Sequence, residues 1–244
     1  MKLLISTMRI AWGFWALLSF ALACIFSLIV TLVIPGSLRR QKLVTYAAKS
    51  VFILSGVKVS VNGFNNLPVE NCVVVANHAS YIDGILLNGY LPARFGFVIK
   101  GEMRNFPIAY FLLRRSGSKF VERNEPRGSS RDARQLIKAA KKGESLGFFP
   151  EGTFNLEPGI GRFRPGAFVA AFKARMPVVP IAISGSRKML PSGKFLPYPS
   201  KLIIDILPAI MPYDENFISS KKLAEASRQK IILAVGEPDL LLNK

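Results

Sequence analysis

The single histidine of the chain, His78, stands in Asn77-His78-Ala79-Ser80-Tyr81-Ile82-Asp83, five positions ahead of an aspartate. Imidazole takes up a proton near neutral pH without a large perturbation, so a reaction needing a base has a ready candidate. Neighbours on one helix face are three or four residues apart, not five. His78 must therefore sit in a turn and bend back over a helix start if the Asp83 carboxylate is to meet its ring. A carboxylate placed there holds one tautomer and stabilises the imidazolium formed on proton transfer. The competing reading is plain turn chemistry. Asn, His and Ser before an apolar segment are ordinary N-cap residues, and Asp83 then serves only the helix N-terminus.

The flanking residues supply the elements such a pair needs. Cys72–Ala76 is an apolar, β-branched run and Gly84–Leu87 is apolar again, which predicts buried strand, polar turn and helix. Three more suspects follow predicted strands: Lys100 after Phe95–Ile99, Arg123 after Ser118–Val121, and Glu151 after Leu146–Phe149. Further strands are predicted at Val57–Val61, Val178–Ser184 and Leu202–Leu207. Helices are predicted from a Ser129 or Ser130 cap to the stop at Gly143, from Pro165 to Ala174, and over Ser219–Val235. This alternation argues an α/β fold, a mixed, partly parallel sheet covered by helices. Ligands of such sheets collect beyond the carboxyl ends of the strands, where all these suspects fall. The cations among them, with Arg164 at a helix N-terminus, suit a phosphate. Phe106–Leu113, closed by Arg114 and Arg115, reads as core, as a membrane-facing surface or as an acyl-chain wall.

Charge narrows the surroundings. With 33 basic against 15 acidic residues, the net charge of +18 calls for an anionic partner. Ile10–Ile34 is a run of 25 residues without a charge, long enough for a bilayer core and too long for a signal-peptide h-region. Trp12 and Trp15 near its start suit an interfacial belt. Leu43–Leu54 reads as an amphipathic helix at the interface. The chain thus divides into a membrane anchor with interfacial helix, residues 1–55, and a globular domain, residues 56–244. Arg39, Arg40 and Lys42 after the apolar run place that domain on the cytoplasmic face. Anionic membrane lipid explains the positive charge better than nucleic acid, for which no binding motif is present. Two cysteines, Cys24 and Cys72, make neither a disulfide framework nor a zinc site and fit a reducing compartment. A Gly-x-Ser-x-Gly elbow, a Walker sequence and a dinucleotide fingerprint are all lacking in the sequence, and one histidine makes no histidine-rich metal site. Ser80 beside His78 stays open as a nucleophile.

Four blocks occur in order: the His78 to Asp83 block, Gly117-x-x-Phe120-Val121-x-Arg123, Phe149-Pro150-Glu151-Gly152-Thr153, and Val179-Pro180-Ile181-Ala182. Together they resemble the glycerophospholipid acyltransferases, most closely the bacterial 1-acylglycerol-3-phosphate acyltransferases. The resemblance implies transfer of a fatty acyl group from acyl-CoA or acyl-carrier protein to the free hydroxyl of a lysophospholipid. It makes His78 the general base and Asp83 its orienting partner. It assigns Lys100, Arg123, Glu151, Gly152, Thr153 and Arg164 to the acceptor, and Val179, Pro180 and Ile181 to the acyl donor or its pocket. No metal or organic cofactor is implied. Where the third block of this family usually continues with arginine, this chain has Phe154. The departure touches the acceptor headgroup more than the reaction, leaving a lyso-ornithine lipid or another lysophospholipid as alternative acceptors. A lipid thioesterase using His78 with water, and a non-catalytic basic membrane-surface protein, are the readings of other classes.

Overall fold

The computed structural model describes residues 2–122, 126–154 and 157–242. Arg123 therefore lies outside the described residues. The sheet is built around β2 (Val73–Ala76), whose four residues are all buried. Each fully buried valine is worth about 1.5–3 kcal/mol relative to exposure, which draws this short strand to the centre. It pairs in parallel with β5 (Leu146–Phe148) on one side and β6 (Val178–Ser184) on the other. Outward from β5 run β3 (Gly96–Lys100) and β4 (Lys119–Val121), also parallel. Beyond β6 the direction reverses: β7 (Leu202–Ile206) is antiparallel to β6 and parallel to β1 (Val59–Asn62). The order β1-β7-β6-β2-β5-β3-β4 is the mixed, mostly parallel sheet expected from the alternation.

Strand side chains alternate between faces, and the two cores follow. Val73, Val75 and Val178 pack with α5 (Pro126–Lys141), α6 (Gly166–Ala174) and α8 (Ser220–Val235) through Leu136, Phe168 and Ile231. Val74, Ala76 and Val179 pack with α2 (Ser37–Leu54) and α3 (Ile82–Tyr90) through Phe52, Leu86 and Leu87. Helix α5 begins at Pro126, before either proposed serine cap, because proline at a first helical position loses no hydrogen bond there. Helices α2 and α3 touch backbone to backbone: a Cβ on Gly89 would lie 2.8 Å from the Lys49 nitrogen. Gly89→Leu is accordingly expected to cost about 1–3 kcal/mol, read as a lowered thermal midpoint in detergent.

Helix α1 (Lys2–Val33) has a polarity inverse to that of a soluble helix. Phe14, Leu18, Leu22, Ile25, Ile29 and Leu32, three or four apart, form an exposed apolar stripe, while Ala16, Ser19, Ser27, Val30 and Thr31 are buried. The Trp12 and Trp15 indoles donate to Ser55 O and Leu54 O, each at 2.8 Å, satisfying carbonyls at the end of α2. At the other end, Arg115 donates to Thr31 O and Arg40 to Ile34 O, placing cations on the C-terminal carbonyls of α1. Contact from Trp12 to Thr31 lays α1 along the α/β body. The segment Phe106–Leu113 falls on α4 (Pro107–Arg115), none of whose residues is buried as core: Leu112 and Leu113 look into a cavity, while Phe106 just before it and Ile108 are exposed.

Candidate active site

The turn between β2 and α3 is pinned before it is furnished. Asn77 bonds β6 in both directions, its Nδ2 donating to Ile183 O at 3.0 Å and its Oδ1 accepting from Ile183 N at 2.7 Å. The Ser80 hydroxyl donates to Leu190 O at 2.7 Å, and the residue is fully buried. Its hydroxyl is thus committed to the fold, which removes it as a nucleophile. His78 then bends back as the five-residue spacing demands: its Nδ1 lies 3.0 Å from Asp83 Oδ2. The same buried oxygen accepts the N–H groups of Ala79 at 2.7 Å and Ser80 at 2.8 Å. A carboxylate offers only acceptors, so Nδ1 is the nitrogen that carries hydrogen and Nε2 keeps its lone pair. The His78 side chain is 18% exposed, so the ring is not sealed into the core.

Aromatic rings frame the imidazole. Phe149 stacks on it with centroids 4.3 Å apart, and Phe154 meets it edge-on at 4.6 Å. Phe154 also packs edge-on against Tyr81 at 4.8 Å. Tyr81 and Phe149 line an apolar cavity of about 510 Å³, enclosed by α1, α2, α3, α4 and β3, with Phe20, Val51 and Ile85 among its walls. The volume is in the range of small-molecule sites. The imidazole of His78 therefore stands beside a mostly hydrocarbon compartment.

The other predicted residues divide. Glu151 follows β5 and is close to His78, yet both its oxygens serve the backbone: Oε1 accepts from His78 N at 2.9 Å and Oε2 from Gly161 N at 2.8 Å. Burial pushes its carboxyl above the ordinary value, and the N–H groups of His78 and Gly161 with the charges of His78 and Arg187 pull it back. Gly152, at φ +83°, makes the turn that Phe149 O closes by accepting from Gly152 N. Thr153 is exposed. Arg164 is exposed and tied to the same turn, its N–H donating to Pro150 O at 2.8 Å. Lys100 ends β3, two strands from β2, with its ammonium 3.7 Å from Glu102. Val179, Pro180 and Ile181 are buried inside β6, beside Val74 to Ala76 of β2, and are not among the cavity walls. Their apolar run packs against β2 and helps to position it. The aromatic frame was missed in the sequence, although Phe154 stood where a cation was expected.

A family model described as Acyltransferase matches residues 58–184, just over half of the 244 residues. The chain belongs to the acyltransferase family. This acyltransferase is 33% identical over 159 residues to the chloroplastic 1-acyl-sn-glycerol-3-phosphate acyltransferase BAT2 of Brassica napus, covering 63% of the chain and 46% of the relative. It is 28% identical over 159 residues to the 1-acyl-sn-glycerol-3-phosphate acyltransferase of Pseudomonas aeruginosa, covering 65% and 61%. The chain spans about half the length of the plant relatives it matches. Its fold is that of the crystal structure of the 1-acyl-sn-glycerophosphate (LPA) acyltransferase PlsC from Thermotoga maritima, with a TM-score of 0.79 at 24% identity over 95% of this chain and 96% of that one. His78, Asp83, Glu151 and the frame of phenylalanines all lie within the stretch that the family model matches.

Proposed function

We propose that this acyltransferase moves a fatty acyl group from a thioester, acyl-CoA or acyl-carrier protein, to the free sn-2 hydroxyl of 1-acylglycerol 3-phosphate, giving phosphatidate. The observation that carries the reading is the His78–Asp83 contact of 3.0 Å, beside an apolar cavity whose wall includes Phe149, the ring stacked on the imidazole. His78 Nε2 takes the hydroxyl proton as the oxygen attacks the thioester carbonyl. The C–O bond forms, the C–S bond breaks, and the leaving thiolate takes the proton back from the imidazolium. Asp83 stabilises that cation through Nδ1. The thioester is already activated, so the reaction calls for neither metal nor organic cofactor. The reading places the protein on the cytoplasmic leaflet, with the α1 stripe in hydrocarbon and the surplus cations near anionic headgroups. Each exposed Leu or Ile of that stripe supplies about 1.5–3 kcal/mol on burial and each cation near the surface about 1 kcal/mol, so both contribute to the attachment.

Labelled thioester donor offered with a panel of lysolipids tests this. A diacylated product with 1-acylglycerol 3-phosphate as best acceptor supports the proposal, and release of free fatty acid alone would indicate a thioesterase instead. Phe154 favours a second reading, in which the acceptor is a lyso-ornithine lipid or another lysophospholipid. An aromatic ring against His78 occupies the place where the family resemblance puts a cation. The same panel separates the two by which acceptor is preferred.

The donor chain is assigned to the 510 Å³ cavity. Gly84 lines it, and a Cβ there would meet nothing within 4 Å. Gly84→Leu should therefore fill the cavity without displacing α3. At about 0.8 kcal/mol per buried CH₂, excluding roughly three or four methylenes lowers kcat/KM for long-chain donors by about a hundred-fold, with shorter donors spared. A shift in lysolipid chain preference, with donor preference unchanged, would put the acceptor's chain there.

A further inference from the structure

The segment that follows α8 returns to the active-site side of the sheet. Gly236, at φ +68°, ends the helix, and the chain then pairs with the loop after the Glu151 turn. Ile160 N donates to Pro238 O at 2.9 Å, Leu240 N donates to Ile160 O at 3.3 Å, and Gly159 N donates to Glu237 Oε2 at 2.8 Å. Arg228 of α8, 8% exposed, locks this strap to the loop. Its guanidinium donates to Asp239 Oδ2, Gly161 O and Ile160 O, each at 2.8 Å, and to Asp239 Oδ1. Those hydrogen bonds hold the Asp239 carboxyl down at about 2, so the pair stays ionised at any working pH. A second ion pair, Arg187 with Glu237 at 3.0 Å, fixes the start of the strap.

The peptide group joining Ile160 to Gly161 is the junction. Its oxygen accepts from Arg228, and its N–H is the one that donates to Glu151 Oε2. A cation on the oxygen of a peptide strengthens the N–H on its other side as a donor. Glu151 in turn holds the His78 N–H with its second oxygen. We propose that Arg228, braced by Asp239, is a positioning residue for His78, acting through the 160–161 peptide and Glu151. This rests on the proposed acyl transfer only in its kinetic arm.

The experiment uses the full chain in detergent or vesicles, with Arg228→Met, Arg228→Lys, Glu151→Gln and the Arg228→Met/Glu151→Gln double variant. Small misplacements of a reacting group cost up to about a hundred-fold in rate. Arg228→Met is therefore expected to lower kcat about ten- to a hundred-fold with KM changed less than about two-fold, and Arg228→Lys to recover part of it. The double variant should be about as slow as Glu151→Gln alone, because both act on one path. Hydrogen exchange supplies a readout independent of activity: peptides spanning His78–Ser80 and Ile160–Gly161 should exchange faster in Arg228→Met, with β2 and β6 unchanged. Multiplying rate losses, or faster exchange spread evenly over the molecule, would overturn the relay and leave Arg228 a general stabiliser. If the wild type transfers no acyl group to any lysolipid, the functional reading fails and the exchange arm still decides the relay.

Discussion

His78→Ala should lower kcat by about a hundred- to ten-thousand-fold, the contribution of a positioned general base. The structure predicts that loss without collapse of the fold. The ring of His78 stacks on Phe149 and reaches Asp83, but the turn itself is held by Asn77, Ser80 and the backbone N–H groups on Asp83 and Glu151. The variant should therefore keep its thermal midpoint within a few degrees and bind lysolipid with little change in KM. A variant that transfers acyl groups at the wild-type rate would remove the imidazole from the reaction.

Asp83→Asn is expected to be nearly as slow, by about a thousand- to ten-thousand-fold, for a different reason. An amide presents one acceptor and one donor where the carboxylate presents two acceptors. If its oxygen keeps the two backbone N–H groups of the turn, it can no longer favour an imidazolium by charge. If its NH₂ faces Nδ1, the ring adopts the other tautomer and loses the acceptor on Nε2. In the second arrangement the N–H groups of Ala79 and Ser80 also lose their acceptor, costing about 1–3 kcal/mol, so this variant should lose thermal stability where His78→Ala does not. Measuring kcat and melting side by side separates the two roles. Equal melting losses for both would make Asp83 no more structural than its neighbour.

How much of this was legible in the sequence depends on the distance over which each contact acts. The bend of His78 over Asp83 followed from a spacing of five, since that interval fits a turn running into a helix and little else. The fold class followed from strand and helix periods, and the gathering of His78 and Glu151 from a rule about where parallel strands end. Glu151 as a clamp did not follow, because nothing in Phe-Pro-Glu-Gly-Thr says that two backbone N–H groups will reach its oxygens. For Val179 to Ile181 the sequence offered no choice between two places, because an apolar run looks the same lining a pocket or filling a core. Arg228 and Asp239 were silent. Their partners at Ile160 and Gly161 lie 67 to 79 positions away and meet them only once the chain has wrapped the sheet. The indoles of Trp12 and Trp15, which their place near the start of the apolar run suits to an interfacial belt, also close the end of α2, a contact no local pattern announces.

Helix α1 makes one side of the compartment in which the hydrocarbon tail is proposed to lie, contributing Ala16, Phe20 and Cys24 to the same enclosure as α3 and β3. The proposed tether and the proposed vessel are thus one piece. A shortened protein beginning at α2 would be an unroofed trough, and a borrowed leader of equal greasiness could restore adhesion without restoring the measure of tail length. Swapping the small inward residues of α1 for bulky ones, while leaving its exposed apolar stripe alone, should retune which tails are accepted with no change in how firmly the protein binds vesicles.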